Sequence, residues 1–394
     1  MDEGIVITGS GLVTALGTGT EAVFEALDAG ESGLRDPADD DPRFARGVDP
    51  SPRGRTLFAG FVRDFKPADL IRSRQLRRMD WFSRLLLGAT RLAADNAAVA
   101  DILAARPQRV AIVAGSCFGA QRETAQYMDR VLDRGLTGGQ PFLFPNLVLN
   151  AAAGWDAIEF DAQGINLTVS AHEASGEAAL VAANDLLLDG RADIAIVTAA
   201  DEFGDVLLDA FEDRHLLDPR VRGGTNADGG GAGIVPGEAA AAIVLERASH
   251  ARKRGAAAKA EVLAADTLGV AEGPHAFPGA ERAAKRIDAW LENLSAERRP
   301  DALFGGTCGG RARTAIDELL ARTTGVRAVF RLRDTLGECP VHGLVAAALA
   351  TESCARGRLP GTREDSPQDL SILVVGAGRG GQLAPVLVGT HRSN

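Results

Sequence analysis

GEAAAAIVLERASHARKRGA, residues 237–256, contains a short apolar run, Ala241–Leu245, that lies between Glu238 and Glu246. The run is continuous rather than alternating, which is typical of a strand that is buried on both faces. It is far shorter than the roughly 20 residues that a bilayer-spanning helix needs. The stretch therefore predicts a central, buried strand of a globular protein.

Similar apolar runs recur along the chain and alternate with longer Ala- and Leu-rich segments. This alternation is typical of α/β proteins. Since no stretch is long enough to be a domain linker, we expect one compact body whose two halves meet near residue 246. Further strands are predicted over Gly4–Thr8, Arg109–Ala114, Asp193–Thr198, Leu303–Gly306 and Ser371–Val375, and helices over Trp81–Ala105, Gly176–Asp189, Glu281–Leu294 and Leu344–Arg356.

The composition excludes several classes of protein. Of the 394 residues, 45% are hydrophobic and 24% are charged, as in a soluble globular chain with a large core. The net charge of −10 disfavours nucleic acid as a partner. The first residues, MDEGIVITGSG, lack the basic residues of a signal peptide, and the four cysteines form no CxxC pair. We therefore expect a cytoplasmic protein with reduced thiols, no metal site and no disulfide bond.

Two glycine-rich stretches follow predicted strands, GSG at 9–11 and GAGRGG at 376–381. Neither completes a dinucleotide-binding fingerprint. The first lacks the third glycine, and the second lies too close to the last residue for an acidic ribose-binding residue to follow. We interpret both as tight turns in which backbone passes close to backbone.

The sharpest local signal is NLTVSAHEASGEAAL, residues 166–180. An extended run ends in small residues, and a helix is predicted to begin near Ser175. Such a strand-to-helix elbow presents one side chain at a helix N-terminus, where the helix dipole stabilises an anion. Here that residue is His172 or Glu173, and neither is an ordinary acyl-transfer nucleophile. The chain also contains no GxSxG nucleophile elbow.

At this level of detail the chain resembles, nearly from end to end, the β-ketoacyl synthases of fatty acid and polyketide assembly. The resemblance implies an α/β, thiolase-like fold, with two duplicated βαβαβαββ halves in a five-layer αβαβα arrangement. It places those halves at residues 1–245 and 246–394. The similar segments are IVITGSGLVTALGTGTEAVFEALDAGESGL (5–34), RRMDWFSRLLLGATRLAADNA (77–97), PFLFPNLVLNAAAGWDAIEFDAQGINLTV (141–169) and GEAAAAIVLERASHARKRGA (237–256).

The catalytic positions of that family are all replaced in this chain. Aligning Ser175-Gly176 with the family's TACxSG-like motif puts Glu173 in place of the nucleophilic Cys. In GGTCG (305–309), which matches the HGTGT-like turn, Gly305 stands in place of the first catalytic His. In RDTLGE (333–338), which matches KSxxGH, Glu338 stands in place of the second His and Arg333 in place of the Lys. The GAGRGG stretch resembles the family's GFGG turn but lacks its Phe.

These replacements predict that the chain alone does not condense acyl groups. Decarboxylative condensation needs a thiolate to carry the acyl chain and two imidazoles to stabilise the thioester enolate. Two buried carboxylates, Glu173 and Glu338, repel each other unless they are paired or protonated. Arg333 is the candidate partner, so we expect a filled, charge-compensated remnant of an active site.

Within the family, the resemblance is to the chain-length factors of type II polyketide synthases. They lack the Cys, form heterodimers with a catalytic ketosynthase and limit product length at the end of the acyl tunnel. This implies a ketosynthase partner, contact with acyl carrier protein mainly through that partner, and no bound cofactor. The partner acts on phosphopantetheine-linked acyl chains, and the product is an aromatic polyketide or a reduced polyene. The tunnel candidates in this chain are Phe118, Gln121, Thr124 and Met128.

Two alternatives stay open at this point. The first is a standalone acyltransferase or thioester hydrolase that uses Glu173 with His172, or Cys339 with His342. The second is a scaffold that binds an acyl carrier without catalysis and without control of chain length.

Overall fold

The computed structural model of the chain describes residues 4–35, 58–71, 74–222, 233–294, 299–305, 308–362 and 369–392. Its strands are β1 (Ile5–Thr14), β2 (Gly17–Thr18), β3 (Val110–Gly115), β4 (Asn166–Val169), β5 (Ile194–Asp201), β6 (Ala239–Arg247), β7 (Ala260–Ala265), β8 (Leu268–Gly269), β9 (Ala302–Gly305), β10 (Ala328–Arg331), β11 (Ser371–Gly378) and β12 (Gln382–Gly389). Its helices are α1 (Thr20–Asp28), α2 (Pro67–Leu70), α3 (Trp81–Asn96), α4 (Ala100–Ala105), α5 (Gln121–Arg134), α6 (Ala151–Glu159), α7 (Ser175–Leu188), α8 (Asp205–Asp213), α9 (Ala248–Lys253), α10 (Ala280–Glu292), α11 (Gly310–Thr324), α12 (Arg333–Leu336) and α13 (His342–Arg356).

The strands of the described residues form one sheet whose two halves have the same topology. The first half runs β1-β6-β5-β3-β4 and the second runs β7-β12-β11-β9-β10. In each half the first three strands are antiparallel and the last three are parallel. The halves meet where β1 pairs antiparallel with β7, with Ile5 opposite Val262. The sheet thus has an internal two-fold relation at its midpoint.

Helices cover both faces of this sheet. Helices α7 and α13 lie in the centre, where they contact each other and strands of both halves. Helices α3 and α6 pack on the outer face of the first half, and α10 and α11 pack against each other over the second half. The two halves of the sheet thus form two layers, and the order from one side to the other is helices, first half, central helices, second half, helices. The central helices are apolar on nearly every side, and α13 buries twelve of its residues.

The predicted mixed α/β architecture is confirmed. The six predicted strands correspond to β1, β3, β5, β6, β9 and β11, and the elbow helix begins at Ser175 as predicted. The long helix predicted over Trp81–Ala105 is instead divided into α3 and α4. Between them Ala98 adopts a φ of +50°, which no residue inside an α-helix can have. The predicted boundary at residues 245/246 lies inside β6, and the division into two domains stays a prediction.

The interpretation of Gly9–Gly11 as a tight turn is wrong, because both glycines lie inside β1. A Cβ atom on Gly11 would lie 2.3 Å from the backbone oxygen of Ala89 in α3, and one on Gly9 would lie 2.5 Å from that of Ala93. The glycines therefore let α3 lie directly on the strand. The predicted close approach of two backbone segments is present, but it joins helix α3 to strand β1 instead of forming a turn. GAGRGG, in contrast, ends β11 and turns into β12, with Gly380 and Gly381 both at positive φ.

None of the helices in the described ranges is both long and apolar enough to cross a lipid bilayer.

Candidate functional site

The elbow between β4 and α7 separates two neighbouring side chains. His172 adopts the left-handed conformation, with a φ of +52°, and its carbonyl accepts a hydrogen bond from Ser175 Oγ at 2.6 Å. The same Oγ accepts the N–H of Ala171 at 3.0 Å. As a result His172 is exposed, whereas Glu173 is 4% exposed and faces the protein interior. The two residues of the proposed Glu173/His172 pair thus face opposite environments.

The buried carboxylate of Glu173 is paired with Arg379. Arg379 Nε lies 3.0 Å from Glu173 Oε1, and the backbone N–H of Arg379 donates to Oε2 at 3.1 Å. Arg379 belongs to the β11–β12 turn and is itself 38% exposed, with its guanidinium over the ring of Phe277. The sequence did not predict Arg379 as the partner of Glu173. A hint was present in GAGRGG, where Arg379 stands in the position of the Phe in the family's GFGG turn.

Glu338 forms a second compensated carboxylate. Its Oε2 accepts the N–H groups of Gly309 and Gly310 at 2.8 and 3.0 Å, at the start of α11. Its Oε1 lies 3.1 Å from Arg333 Nη2. Burial raises the pKa of Glu338, and the neighbouring Arg333 opposes this change. Arg333 therefore does pair with a carboxylate as expected, but with Glu338 and not with Glu173.

Gly305 ends strand β9 and is buried against Asp317 of α11. A Cβ atom at Gly305 would lie 2.6 Å from the carboxyl carbon of Asp317. Asp317 in turn accepts a hydrogen bond from Arg313 Nε at 2.9 Å, and both side chains are buried. An imidazole at this position would overlap the Asp317 carboxylate. Gly306 and Thr307, the next residues of the predicted motif, lie outside the described residues.

Three cysteines, Cys117, Cys308 and Cys339, lie near Glu173 and Glu338, and the surroundings of each disfavour the thiolate form. Burial raises the pKa of Cys117, with Asp201 and Glu173 adding to the effect. Burial likewise raises the pKa of Cys308 and Cys339 well above the usual value for a thiol. The Cys339 thiol faces the backbone oxygen of Asp201 at 3.8 Å. The reactive form of a cysteine is the thiolate, and burial disfavours it at all three positions.

His342 does not provide a base for Cys339. The imidazole is fully buried at the start of α13, and burial lowers its pKa to about 3. Neither ring nitrogen has a hydrogen-bond partner among the described residues. The Cys339/His342 pair thus lacks the thiol–imidazole contact that activates a nucleophile.

The four tunnel candidates lie just before α5 and along its first half. The preceding loop is held by the buried carboxylate of Asp201, which accepts the N–H groups of Cys117, Phe118 and Gly119 and the hydroxyl of Ser116. Phe118 is half-buried in this loop, and Gln121 is the first residue of α5. Thr124 and Met128 follow on its exposed side, one turn apart.

Most of the large hydrophobic side chains that are exposed among the described residues lie between residues 128 and 167, on and after helix α5, and we call this set the α5 face. Along the helix Met128 is 47% exposed and Leu132 is 77% exposed, and Leu136 just beyond it is 92% exposed. Exposed apolar side chains that form a contiguous patch are a feature of protein-interaction sites. Outside the helix its members are Phe142, Phe144, Val148, Leu149, Ile158 and Leu167, the last of which lies on edge strand β4.

A groove of about 290 Å³ adjoins the elbow on the side of α7 that faces β12. Its walls include Val169, Ala174, Val181 and Leu383, and Glu173 is not among its lining residues. The buried carboxylate is thus directed away from this opening and toward Arg379.

Comparisons with known proteins agree with this geometry. The family model described as "Beta-ketoacyl synthase, N-terminal domain" matches residues 2–251. The chain is 30% identical over 267 residues to the 3-oxoacyl-[acyl-carrier-protein] synthase 2 of Coxiella burnetii. That alignment covers 66% of this chain and 61% of the relative, so the chain spans about three fifths of its length.

Two solved structures share the fold over almost the whole chain. One is described as the ishigamide ketosynthase/chain length factor, with a TM-score of 0.81 at 23% identity and complete coverage of both chains. The other is a type II PKS acyl-carrier protein in complex with its ketosynthase bound to the hexaketide, with a TM-score of 0.75 at 17% identity; 99% of this chain and 100% of that chain are covered. These likenesses confirm the predicted thiolase-like fold.

Proposed function

The chain belongs to the β-ketoacyl synthase family, and we propose that it is a non-condensing subunit that pairs with a catalytic ketosynthase and helps to set the length of the acyl chain. Its pathway would be type II polyketide or polyene biosynthesis. The proposal places the protein in the cytoplasm with no cofactor of its own.

The observation that carries this proposal is the pair of arginine-compensated carboxylates. Glu173 with Arg379, and Glu338 with Arg333, occupy positions where the resemblance implies a Cys and a His. A carboxylate held by a guanidinium and backbone N–H groups is a stable buried anion and not an acyl carrier. Gly305 offers no side chain to stabilise an enolate, and Asp317 fills the space beside it.

The α5 face supports a protein partner for this subunit. Its large hydrophobic side chains are exposed, and one of them, Leu167, lies on edge strand β4, whose outer backbone groups have no strand to pair with among the described residues. A ketosynthase of the same fold would offer a complementary surface and would supply the Cys and both His. Contact with acyl carrier protein would then be made mainly through that partner. The solved ketosynthase/chain length factor of the same fold is consistent with this arrangement.

Chain length would be limited by side chains of this subunit at the end of the tunnel. The candidates are Phe118, Gln121, Thr124 and Met128, of which Thr124 and Met128 are exposed on α5. Once the tunnel is full, a further acyl unit would force overpacking, which costs about 1–3 kcal/mol. A free-energy cost of this size is enough to make a chain that is one acyl unit shorter the dominant product.

Co-expression with a Cys-bearing ketosynthase tests the proposal. We expect one-to-one co-purification, no thioester turnover by this chain alone, and shorter products when Thr124 or Met128 is replaced by Trp. The matched control is Trp at Leu188, which is exposed at the end of α7 and far along the chain from the candidates. A well-behaved homodimer, thioester turnover lost in Glu173→Ala or Cys339→Ala, or unchanged products across Trp and Ala variants of all four candidates would contradict it.

A further inference from the structure

We propose that the groove between α7 and β12 receives a lysine or arginine side chain of the ketosynthase partner, with the methylene stem on the apolar walls and the positive charge beside Asp185. The inference rests on the proposed function, because it names one contact of the heterodimer. It gives a role to a part of the surface that lies outside both the α5 face and the replaced catalytic positions.

The walls of the groove are apolar and built from small side chains. Ala178, Val181 and Ala182 lie on one face of α7, at the spacing of successive helix turns, and Leu383 of β12 lies on the opposite wall. Ala178 and Ala182 remain partly exposed, so the groove is open to an incoming side chain. Its volume of about 290 Å³ can hold an extended stem without a change in the backbone. Walls of this kind suit the methylene groups of a long charged side chain.

One end of the groove is negatively charged. Asp185 lines the groove, and burial raises the pKa of this carboxyl, an effect to which the carboxylates of Asp189 and Asp266 add. Asp185 and Asp189 are one turn apart at the C-terminal end of α7, where the helix dipole also disfavours negative charge. In the part of the chain that the structure describes, none of the three carboxylates has an ion-pair partner. A positive charge placed beside Asp185 would relieve this repulsion.

The groove is continuous with the unpaired edge of the sheet. Val169, the last residue of β4, lines the groove, and Leu167 of the same strand is exposed. A protein that covers the edge of β4 would therefore also reach the groove. Apolar walls that end at a carboxylate match the stem and the charged tip of lysine or arginine. A small cation would leave the apolar walls uncovered, and an anionic side chain would be repelled by Asp185.

The affinity of this chain for a Cys-bearing ketosynthase tests the charge at the end of the groove. Asp185→Asn should raise the dissociation constant by about three- to tenfold and reduce its dependence on salt, because one charge pair is lost. The melting temperature of the chain alone should not fall, since the substitution removes repulsion at the end of a helix. The matched control is Glu292→Gln, which removes an exposed acid from the last turn of α10 and should leave the affinity unchanged.

Filling the groove tests its walls separately. Ala182→Leu places a larger side chain in the open space of the groove, so it should weaken binding without lowering the melting temperature of the chain alone. The matched control is Ala315→Leu, an exposed position of α11, which should bind as the wild type does.

The outcomes separate this inference from the proposed function. If the wild type binds the ketosynthase and both Asp185→Asn and Ala182→Leu bind equally well, the inference is overturned and the proposed function stands. Equal losses of affinity in Asp185→Asn and Glu292→Gln would also overturn it, because the effect would then reflect net charge alone. If the wild type binds no ketosynthase, the proposed function and this inference both fail.

Discussion

Replacing Arg379 with Ala should destabilise the protein far more than removing the charge of its partner. The substitution leaves the Glu173 carboxylate, whose side chain is 5% exposed, with the backbone N–H of residue 379 as its remaining hydrogen bond among those described. Leaving one charge of a buried pair without its partner costs about 3–5 kcal/mol. Because the Arg379 side chain is 38% exposed and solvent screens part of the interaction, we expect about 2 kcal/mol.

The reverse change, Glu173→Gln, should cost less than about 1 kcal/mol, because the half-exposed arginine can turn to solvent while Gln keeps the volume and the backbone hydrogen bond. The double variant Glu173→Gln/Arg379→Ala should recover most of the loss of Arg379→Ala. A matched control is Arg392→Ala, which breaks an ion pair with Asp369 in which both side chains are more than half exposed. Its expected effect is within about 0.5 kcal/mol.

Urea denaturation of the wild type and the four variants measures these differences in the free energy of unfolding, and thermal unfolding gives an independent measurement. With an unfolding entropy of about 2.1 cal/mol/K per residue, a chain of 394 residues should lose roughly 2–3 °C in melting temperature for 2 kcal/mol. Equal losses in Arg379→Ala and Arg392→Ala would refute the pairing. So would a double variant that is no more stable than Arg379→Ala, since the cost would then not come from an unpaired Glu173.

Three other predictions follow from the fold. Burial raises the pKa of Asp156 to about 8, so the native state keeps a proton that the unfolded chain releases, and stability should fall as the pH rises from about 4 to about 8. The variant Asp156→Asn should flatten this dependence when denaturation midpoints are compared at about pH 5.5 and about pH 8.5. A pH dependence that is unchanged in the variant would contradict the prediction. Gly11→Ala should destabilise the protein by more than about 2 kcal/mol, because its Cβ would lie 2.3 Å from the backbone oxygen of Ala89. Gly154→Ala is the control: the glycine has open space around it in α6, so the substitution should stabilise by up to about 1 kcal/mol when both variants are compared by thermal unfolding. Leu136→Asp should weaken co-purification with the ketosynthase without changing the melting temperature of the chain alone, and Leu136→Ala should weaken co-purification less. Equal binding by the wild type and Leu136→Asp would show that Leu136 is not part of the interface.

The six strands that were predicted from the sequence are buried at nearly every residue. Strands such as β5 and β11 are buried at every residue, so continuous Val, Ile and Ala runs identify them. Edge strand β10 was not assigned and β4 was noted only as the extended run before the elbow helix, because their residues are half-buried or exposed and carry no such pattern. Propensity also failed at Gly11, where a glycine pair suggested a turn although tertiary packing against α3 required the absence of a Cβ.

The resemblance predicts which positions of the site are replaced, whereas the partners that the structure gives to these residues were only partly predicted. The resemblance located Glu173, Gly305 and Glu338, and it suggested Arg333 as a counter-charge. Arg379 lies 206 positions from Glu173 in a turn that suggests a solvated surface residue, and no local pattern connects the two. Asp317 was missed for a similar reason, since a helical carboxylate is ordinarily exposed, and only the fold shows that it fills the space beside Gly305.

The antiparallel pairing of β1 with β7 has a consequence for how such a chain could arise. Two identical strands paired in this way are related by a two-fold axis, which is the isologous contact of a symmetric dimer. A single half would be able to pair with a second copy of itself along this edge, and a fusion of two copies would make the contact intramolecular. After fusion the copies could diverge, because neither had to be complete. Here the half that contains β4 contributes Glu173 at the elbow, and the half that contains β11 and β12 contributes the arginine that neutralises it.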